Sequence, residues 1–266
     1  MSGFQANGIC AGYGGKRVIE GLSFSLEGSS MMGVLGANGS GKTTLIKSIC
    51  SLLRHEGECV LEGVRLEGLT PRQLAQKCSY IPQRSGIAVD ISALDVVLMG
   101  FNAQLGLLEH PTKAMREQAL RALKQAGIGD RAEMNYMHLS EGQKQLCILA
   151  RTLVSNARFL LLDEPESALD FRFRYRMLNI IRSWVRQDGR FALVALHDPM
   201  LALNECDELL LLKDGRSIGV IRPTADSAEK MEEMLSEIYG RISLVSCADR
   251  AGRKHLVMLK EGESNL

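Results

Sequence analysis

One stretch decides the fold of this chain: Gly36-Ala37-Asn38-Gly39-Ser40-Gly41-Lys42-Thr43-Thr44, which follows an apolar run from Met31 to Leu35. It fills every required position of the pattern G-x-x-x-x-G-K-[ST] between a strand-like and a helix-like segment. Glycines let backbone N–H groups approach a polyphosphate at the start of a helix. The stretch predicts a nucleoside triphosphate site, with Lys42 at the β- and γ-phosphates and the Thr43 hydroxyl on Mg²⁺. A flexible turn that contains a lysine by chance is the disfavoured alternative.

Two carboxylates follow another apolar run, Phe159 to Leu162, and they form the next candidate site. A buried strand of an open α/β sheet delivers such residues to the edge of the sheet where ligands bind. We expect Asp163 to hold Mg²⁺, directly or through water, and Glu164 to polarise the water that attacks the γ-phosphate. The alternative is an acidic pair on the surface, which the strand context and the following Pro165 disfavour.

Further motifs occur in a fixed order along the chain. Residues 139–143 read Leu-Ser-Glu-Gly-Gln, Gln83 ends Tyr-Ile-Pro-Gln, Ser167-Ala168-Leu169-Asp170 follow the acidic pair, and His197 ends a third apolar run. Tyr13 precedes the glycine-rich stretch. This set, over about residues 4–222, resembles the ATP-binding-cassette (ABC) ATPase family.

The resemblance implies ATP and Mg²⁺ as the bound species. It implies that Tyr13 stacks on adenine, that His197 contacts the γ-phosphate and helps to align Glu164, and that Gln83 contacts Mg²⁺ or the attacking water. An aromatic that only packs in its hairpin is the alternative for Tyr13, and a core histidine is the alternative for His197. The expected nucleotide-binding residues are Tyr13, Gly36, Ala37, Asn38, Gly39, Ser40, Gly41, Lys42, Thr43 and Thr44. The expected catalytic residues are Glu164, His197 and Gln83, and the expected metal ligands are Thr43, Gln83 and Asp163.

The resemblance also implies a head-to-tail homodimer that shares its two ATP sites. In such a dimer Ser140, Gly142 and Gln143 contact the ATP of the other subunit, and Asp170 lies in a loop at the dimer interface. Glu141 departs from the family, which most often has Gly there, and a carboxylate beside a triphosphate is repulsive unless it faces away. Glu166 also departs, since the family usually has a small polar residue at that position.

Alternating strand and helix patterns predict an α/β fold. Strands are expected at Ile9–Leu26 with a break at Gly12–Gly15, and at Met31–Leu35, Cys59–Leu66, Ser79–Pro82, Phe159–Leu162 and Phe191–Leu196. With the family resemblance, this is the P-loop ABC ATPase fold: a mainly parallel sheet, N-terminal antiparallel strands and an inserted helical subdomain. We expect an ATPase domain at 4–222, the insertion at about 84–155, and a small C-terminal appendage at 223–266.

The composition is that of a globular protein, with 45% hydrophobic and 24% charged residues and a net charge of +1. No global charge points to nucleic acid. Seven cysteines are scattered without a C-x-x-C pair or a Cys/His ligand spacing, so buried reduced thiols are expected rather than disulfides or a zinc site. No apolar run approaches the ~18 residues of a membrane span. At a membrane, a partner would have to anchor the chain.

One segment interleaves aromatic residues with arginine and reads Phe171-Arg172-Phe173-Arg174-Tyr175-Arg176. Such interleaving is typical of nucleic-acid surfaces. On a helix, however, Arg172 and Arg176 share one face while Phe171 and Tyr175 share another. We therefore expect no nucleic-acid partner.

Two weaker cues concern the transported substance. The segment Val96-Val97-Leu98-Met99-Gly100 and the tail around Glu237-Ile238-Tyr239-Gly240 resemble importers of iron–siderophore, haem or vitamin B12 complexes. This resemblance implies two integral membrane permease subunits, an extracytoplasmic cargo-binding protein, and a peripheral position on the cytoplasmic face of the inner membrane. A soluble ABC ATPase without a transport role, or an exporter ATPase, is the alternative.

The segment from about Arg84 to Phe101 is expected to form part of a groove for a cytoplasmic helix of the permease. It joins the predicted γ-phosphate sensor, Gln83, to an insertion that can move against the sheet. Ile87, Val89 and Leu98 are the candidate contacts, with core packing as the alternative for Leu98.

Overall fold

The structure, a computed structural model, describes residues 3–83, 86–88, 90–106, 108–167, 169–187 and 189–262. The strands are β1 (Gly3–Tyr13), β2 (Lys16–Glu27), β3 (Met31–Gly36), β4 (His55–Leu61), β5 (Val64–Arg65), β6 (Cys78–Ile81), β7 (Phe159–Asp163), β8 (Phe191–Ala195), β9 (Glu208–Lys213), β10 (Arg216–Ile221), β11 (Ile242–Ala248) and β12 (Lys254–Lys260). The helices are α1 (Lys42–Ile49), α2 (Pro71–Lys77), α3 (Ala93–Leu98), α4 (Lys113–Ala126), α5 (Glu141–Val154), α6 (Phe171–Val185), α7 (Pro199–Glu205) and α8 (Ala228–Tyr239).

A six-stranded sheet in the order β10-β9-β3-β8-β7-β6 forms the centre of the molecule. Its strands run parallel except for β10, which pairs antiparallel with β9. Every residue of β3, β7 and β8 is buried, as expected for parallel strands covered on both faces. The carboxyl ends of β3, β7 and β8 therefore meet at one edge, and each leads into a predicted site segment.

A second sheet, β2-β1-β4-β5, is antiparallel. Together with α1 and α2 it covers one face of the central sheet, while α3 to α8 cover the opposite face. Side chains of β7 alternate between the two cores, with Phe159 and Leu161 in one and Leu160 and Leu162 in the other. The predicted fold class, a mainly parallel sheet with N-terminal antiparallel strands, is confirmed.

The expected strand Cys59–Leu66 is wrong in one respect, because the chain reverses inside it. Glu62 and Gly63 both have positive φ, at 51° and 77°, and they join β4 to β5 in a tight hairpin. Two consecutive positive φ values are the geometry of a type I′ turn. The glycine break between β1 and β2 is of the same kind, at Gly14 and Gly15, and this one was predicted.

Between β6 and β7 the described residues form helices and turns, with one isolated bridge between Ser92 and Asn135. The hydroxyls of Ser92 and Thr112 cap the N-termini of α3 and α4. Gly127, at φ 74°, ends α4. The extent of this segment as a subdomain, about 84–155, stays a prediction.

The predicted permease groove is tested only in part. Leu98 is buried in the core, which is the alternative expected for it, and Ile87 is half-buried against that core. Arg84 and Val89 lie outside the described residues. Ile87 and Val89 therefore both stay candidate contacts.

After His197 the structure contains elements that the sequence analysis did not predict. Helix α7 and strands β9 and β10 follow, and β9 inserts beside β3 in the central sheet. The C-terminal segment forms α8 and a hairpin in which β11 pairs with β12. Met231 and Leu235 of α8 are buried in the same core as the central sheet. The boundary at 223 stays a prediction.

All seven cysteines are free thiols. Five are buried, whereas Cys10 is half-buried and Cys247 is exposed on β11, so the expectation of buried thiols is wrong for these two. Burial raises the pKa of Cys78 and Cys147 to about 12, which keeps both thiols neutral at pH 7. No helix in the described parts of the chain has the length and apolarity needed to cross a membrane.

Candidate functional site

The loop between β3 and α1 holds the glycine-rich stretch. A Cβ on Gly36 would lie 2.4 Å from Ser40 Oγ and 2.5 Å from the carbonyl oxygen of Leu212. Gly41 precedes α1 with a φ of 106°, which other residues rarely adopt. These glycines allow the loop to turn tightly over the end of β3 and expose the first amides of α1.

Lys42 crosses the inside of this loop. Its side chain is 3% exposed, and its Nζ donates to the carbonyl oxygens of Gly36 at 2.9 Å and Ala37 at 3.4 Å. The same ammonium lies 3.6 Å from Glu164 Oε1. The buried charge is thus held by backbone carbonyls and one carboxylate, as burial of a cation requires.

Thr43 and Asp163 bring a hydroxyl and a carboxylate together. Thr43 Oγ1 donates to Asp163 Oδ1 at 2.8 Å, and the Tyr80 hydroxyl lies 3.5 Å from Asp163 Oδ2. Burial raises the pKa of Asp163, because a carboxylate at 3% exposure loses its hydration. A buried carboxylate beside a hydroxyl fits Mg²⁺, which prefers oxygen ligands.

Three side chains converge on Glu164. Its Oε2 accepts a hydrogen bond from Gln83 Nε2 at 2.8 Å and lies 2.5 Å from His197 Nε2. Lys42 approaches the other oxygen. The structure therefore joins four residues predicted from separate segments, and their focus is the predicted catalytic carboxylate.

Glu166 holds the backbone of His197 in place, a role that the sequence analysis left open. Its Oε1 accepts the His197 backbone N–H at 2.9 Å. Glu166 is 2% exposed, and burial raises its pKa. Its Oε2 is buried, and in the described part of the chain it accepts no hydrogen bond. The departure from the family pattern thus fixes the backbone that carries His197.

A cavity of about 480 Å³ opens at this edge of the sheet. Its lining residues are Tyr13, Val18, Asn38, Gly39, Ser40, Gly41, Lys42, Thr43, Thr44, Gln83, Glu164 and His197. Tyr13 is 49% exposed, which leaves its ring free to stack on a bound group. The described residues that line the cavity do not include Ser140, Gly142, Gln143 or Asp170.

Ser140 begins α5 as its N-cap. Its hydroxyl accepts the Gln143 backbone N–H at 3.3 Å, and Gln143 Oε1 accepts the Ser140 N–H at 3.0 Å. This reciprocal pair is a capping box. Ser140 is exposed, so the start of α5 presents its hydroxyl and free amides to solvent. The Gln143 side chain is engaged within its own helix.

Glu141 has a partner in its own helix. Its carboxylate accepts a hydrogen bond from Lys144 Nζ at 2.8 Å, with the Glu141 side chain 70% exposed. A negative charge in the first turn also complements the helix dipole. The repulsion expected from Glu141 is therefore offset locally by Lys144.

Gln145 was missed by the sequence analysis. Its Nε2 donates to the backbone carbonyl of Gln83 at 3.1 Å, and the residue is 4% exposed. This bond joins α5, which begins at Ser140, to the loop that carries Gln83. A polar residue on the buried face of α5, next to Leu146 and Cys147, was the available signal.

Asp170 caps α6 by accepting the Phe173 backbone N–H at 3.0 Å. In the arginine and aromatic segment that follows, the rings of Phe171 and Tyr175 lie 4.7 Å apart, on one face as predicted. A larger groove of about 1250 Å³ runs between α4, α5 and α6. None of its described lining residues belongs to the predicted ATP site. The smaller cavity is therefore the candidate functional site, although the groove is larger.

Comparison with known proteins places this geometry in context. The sequence matches a family model described as ABC transporter over residues 19–167. The hemin import ATP-binding protein HmuV of Bordetella pertussis (strain Tohama I) is 34% identical over 231 residues, covering 84% of this chain and 87% of that protein.

Two further matches agree. YvrA of Bacillus subtilis (strain 168), an uncharacterized ABC transporter ATP-binding protein, is 32% identical over 235 residues. That match covers 88% of this chain and 51% of YvrA, so this chain spans about half the length of that relative. A solved chain described as a metal-chelate type ABC transporter in an inward-facing conformation superposes with a TM-score of 0.82 at 22% identity, covering 98% and 99% of the two chains.

Proposed function

Because this chain belongs to the ABC transporter family and is an ATPase whose hydrolysis is coupled to transport, we propose that it drives import of a metal chelate of the iron–siderophore, haem or cobalamin type. The name of the similar Bordetella protein, a hemin import ATP-binding protein, supports a cargo of this type. The segments around Val96–Gly100 and Glu237–Gly240 support it from the sequence.

The observation that carries the catalytic proposal is the convergence of Lys42, Gln83 and His197 on Glu164. The Lys42 ammonium lies 3.6 Å from the Glu164 carboxylate and balances its charge. We propose that the γ-phosphate of ATP attracts the ammonium away, since a triphosphate carries more charge than one carboxylate. Glu164 is then free to accept a proton from water, while Gln83 and His197 hold its orientation.

We propose that Thr43, Asp163 and Gln83 hold Mg²⁺ with the nucleotide. The ion supplies charge neutralisation of the β- and γ-phosphates. The loop from Gly36 to Thr44 binds the phosphates through its amides, and Tyr13 stacks on adenine. Gln83 Nε2 already bonds Glu164, so its amide oxygen is the atom left for the metal or the water.

ATPases of this family dimerise and pair with permease subunits. For this chain we propose a head-to-tail homodimer on the cytoplasmic face of the membrane, with two permeases and an extracytoplasmic cargo-binding protein. The exposed start of α5 supports this arrangement, because Ser140 and Gly142 lie outside the cavity of their own chain. Asp170 would lie at the interface between the two subunits.

The cargo proposal is tested by reconstitution of the purified chain with its membrane partners and cargo-binding protein in proteoliposomes. Uptake of haem, of a ferric siderophore and of cobalamin is measured in two sets of samples. ATP is enclosed in the proteoliposomes in one set and added to the outer solution in the other. We expect uptake of one of the three, dependent on ATP on the side of this chain, with the Glu164→Gln complex as the matched inactive control. ATP hydrolysis without uptake of any of them would reject the cargo class and leave the ATPase assignment standing.

A further inference from the structure

Three potential ligands from the antiparallel sheet meet at a place that the ATP site does not use. His55 and Cys59 lie on β4, and Glu67 follows β5 after the hairpin. One ligand atom from each residue lies within 4.8 Å of the other two. The imidazole is 4% exposed, the thiol is buried, and the Glu67 side chain is 23% exposed. None of the three lines the cavity described above.

Both ring nitrogens of His55 lie near oxygen atoms. Its Nδ1 lies 3.4 Å from the carbonyl oxygen of Leu53, and its Nε2 lies 3.1 Å from Glu67 Oε1. Both oxygens are acceptors, so the neutral ring donates to Glu67 when Nε2 carries the proton and to Leu53 when Nδ1 carries it. In the second tautomer Nε2 presents a lone pair toward a carboxylate oxygen, and these two atoms can then bind one cation.

The same arrangement is common around protein-bound zinc. A zinc-bound histidine donates its other N–H to a backbone carbonyl or carboxylate, and the carbonyl oxygen of Leu53 can accept such a bond from Nδ1 of His55. Two ligands of one tetrahedral ion at about 2.0–2.1 Å lie roughly 3.3 Å apart, close to the distance between Nε2 and Oε1. Glu67 Oε2 is buried, and among the described residues it accepts no hydrogen bond. Oε2 forms an ion pair with Arg65 Nε at 3.4 Å, which leaves Oε1 as the oxygen that faces His55.

We propose that His55, Cys59 and Glu67 form a site for Zn²⁺ or a similar borderline divalent cation. Nitrogen, sulfur and oxygen ligands are the set that zinc accepts, and three of them leave a fourth position for water. On binding, the Cys59 thiol releases its proton to solvent and the sulfur donates an electron pair to the ion, with no change of oxidation state. The two anionic ligands then balance the charge of the cation, and Arg65, 3.4 Å from Glu67 Oε2, stays on the outer side.

The bound cation would cross-link β4 to the segment that follows β5. His55 and Cys59 share one face of β4, and Glu67 Oε1 already accepts the Cys59 backbone N–H at 2.5 Å. Coordination of the cation by the three side chains would add to this hydrogen bond and hold the β4–β5 hairpin more tightly. Because a ligand that binds only the folded state stabilises it, the melting temperature should rise with the concentration of free Zn²⁺.

The test uses the tag-free, chelator-treated full chain with Zn²⁺ and with Co²⁺ as a spectroscopic probe. We expect one equivalent of Zn²⁺ to remain after dialysis, and the Co²⁺ form to develop the near-ultraviolet charge-transfer band of a thiolate ligand. Cys59→Ser should abolish that band, and His55→Asn and Glu67→Gln should each weaken Zn²⁺ binding by at least about tenfold. Cys147→Ser, which removes a buried thiol of α5, and His110→Asn, which removes an exposed imidazole, are the matched controls and should bind as wild type.

ATP binding by each variant reports that it folds. Should Cys59→Ser fail to bind ATP, the wild-type cobalt spectrum and the Glu67→Gln titration decide the matter. A wild-type protein that binds Co²⁺ without a thiolate band, or that retains no Zn²⁺ at all, would overturn the proposal in favour of a simple hydrogen bond between His55 and Glu67. A band that persists in a folded Cys59→Ser chain would overturn it as well.

Discussion

At the residue scale, Glu164 has the least favourable conformation in the site. Its φ is 48°, in the left-handed region that costs a non-glycine residue about 1–2 kcal/mol. Its backbone N–H donates to the Ala195 carbonyl oxygen at 3.2 Å, and Gln83 and His197 hold its carboxylate. The neighbouring strand and side chains thus stabilise a conformation that turns the carboxylate into the cavity. Strain of this kind is concentrated at functional sites.

Replacement of Lys42 by Ala should lower ATP affinity by roughly 10- to 100-fold, since the charge-assisted bonds of its ammonium to the phosphates are lost. The measurement is ATP titration by calorimetry. Lys124→Ala, an exposed lysine of α4, is the matched control and should bind ATP as wild type. Equal affinity in Lys42→Ala and wild type would contradict the assigned role.

The Glu164→Gln change should leave ATP binding intact and slow hydrolysis by about 100-fold or more, because an amide cannot accept the proton of the attacking water. Single-turnover hydrolysis with excess enzyme measures the chemical step directly. Unchanged single-turnover hydrolysis would assign the base to another residue.

Glu166 supports a prediction about pH. Burial raises its pKa in the folded chain, so the folded state holds the proton more tightly than the unfolded state. This tighter proton binding stabilises the folded state in full below the unfolded pKa, about 4.3. The stabilisation is lost as pH rises through the pKa of Glu166 in the folded chain. Glu166→Gln keeps an acceptor for the His197 N–H and removes the buried charge.

The melting temperature of Glu166→Gln should therefore exceed that of wild type at pH 8, and the difference should shrink toward pH 4. Glu117→Gln, on the exposed side of α4, removes a carboxylate that has no ion pair among the described residues and is the matched control. A melting-temperature difference between Glu166→Gln and wild type that grows as pH falls would contradict this prediction.

At the scale of elements, the sequence predicts best where one short pattern decides the outcome. The loop before α1, the end of β7 and the glycine break between β1 and β2 each depend on residues within a few positions of one another. Strand β9 was missed because Leu209–Leu212 is a short apolar run with no alternation and no β-branched residue, which periodicity cannot assign. Helix α7 did have a local signal, Asp198 before Pro199, a cap followed by a favoured first residue.

Contacts between distant segments account for the rest. Glu166 and His197 are 31 positions apart, and Gln145 and Gln83 are 62 apart, so only the folded sheet and helices bring them together. The His55, Cys59 and Glu67 cluster likewise depends on the hairpin between β4 and β5, which the sequence analysis read as one strand.

The bond from Gln145 to Gln83 gives a prediction at this scale. Gln145→Met keeps the length of the side chain and removes the donor, which leaves the Gln83 carbonyl without that partner. One such bond is worth about 1–1.5 kcal/mol, so kcat for ATP hydrolysis should fall by about tenfold while ATP affinity changes less than about twofold. Steady-state kinetics measure the first and calorimetry the second. Gln118→Met, on the exposed side of α4, is the matched control. A parallel loss of affinity would assign Gln145 to binding instead.

At the scale of the whole molecule, the two halves of the proposed ATP site lie apart. The phosphate loop, Glu164 and His197 form one cavity, while Ser140 begins a helix that does not line it. A single chain therefore presents a phosphate-binding cavity in one place and a set of exposed helix amides in another. Head-to-tail association brings the amides of one chain to the cavity of the next and accounts for both halves.

A mixture of inactive chains tests this central claim most directly. Chains with Ser140→Ala, which lack the hydroxyl at the start of α5, are combined with chains that carry Lys42→Ala. ATP hydrolysis by the mixture is compared with hydrolysis by each variant alone. Random pairing makes half of the dimers mixed, with one intact site of two in each. The account predicts recovery toward roughly one quarter of the wild-type sites. No recovery in samples where mixed dimers are demonstrated by cross-linking would contradict a site shared between two copies of this chain.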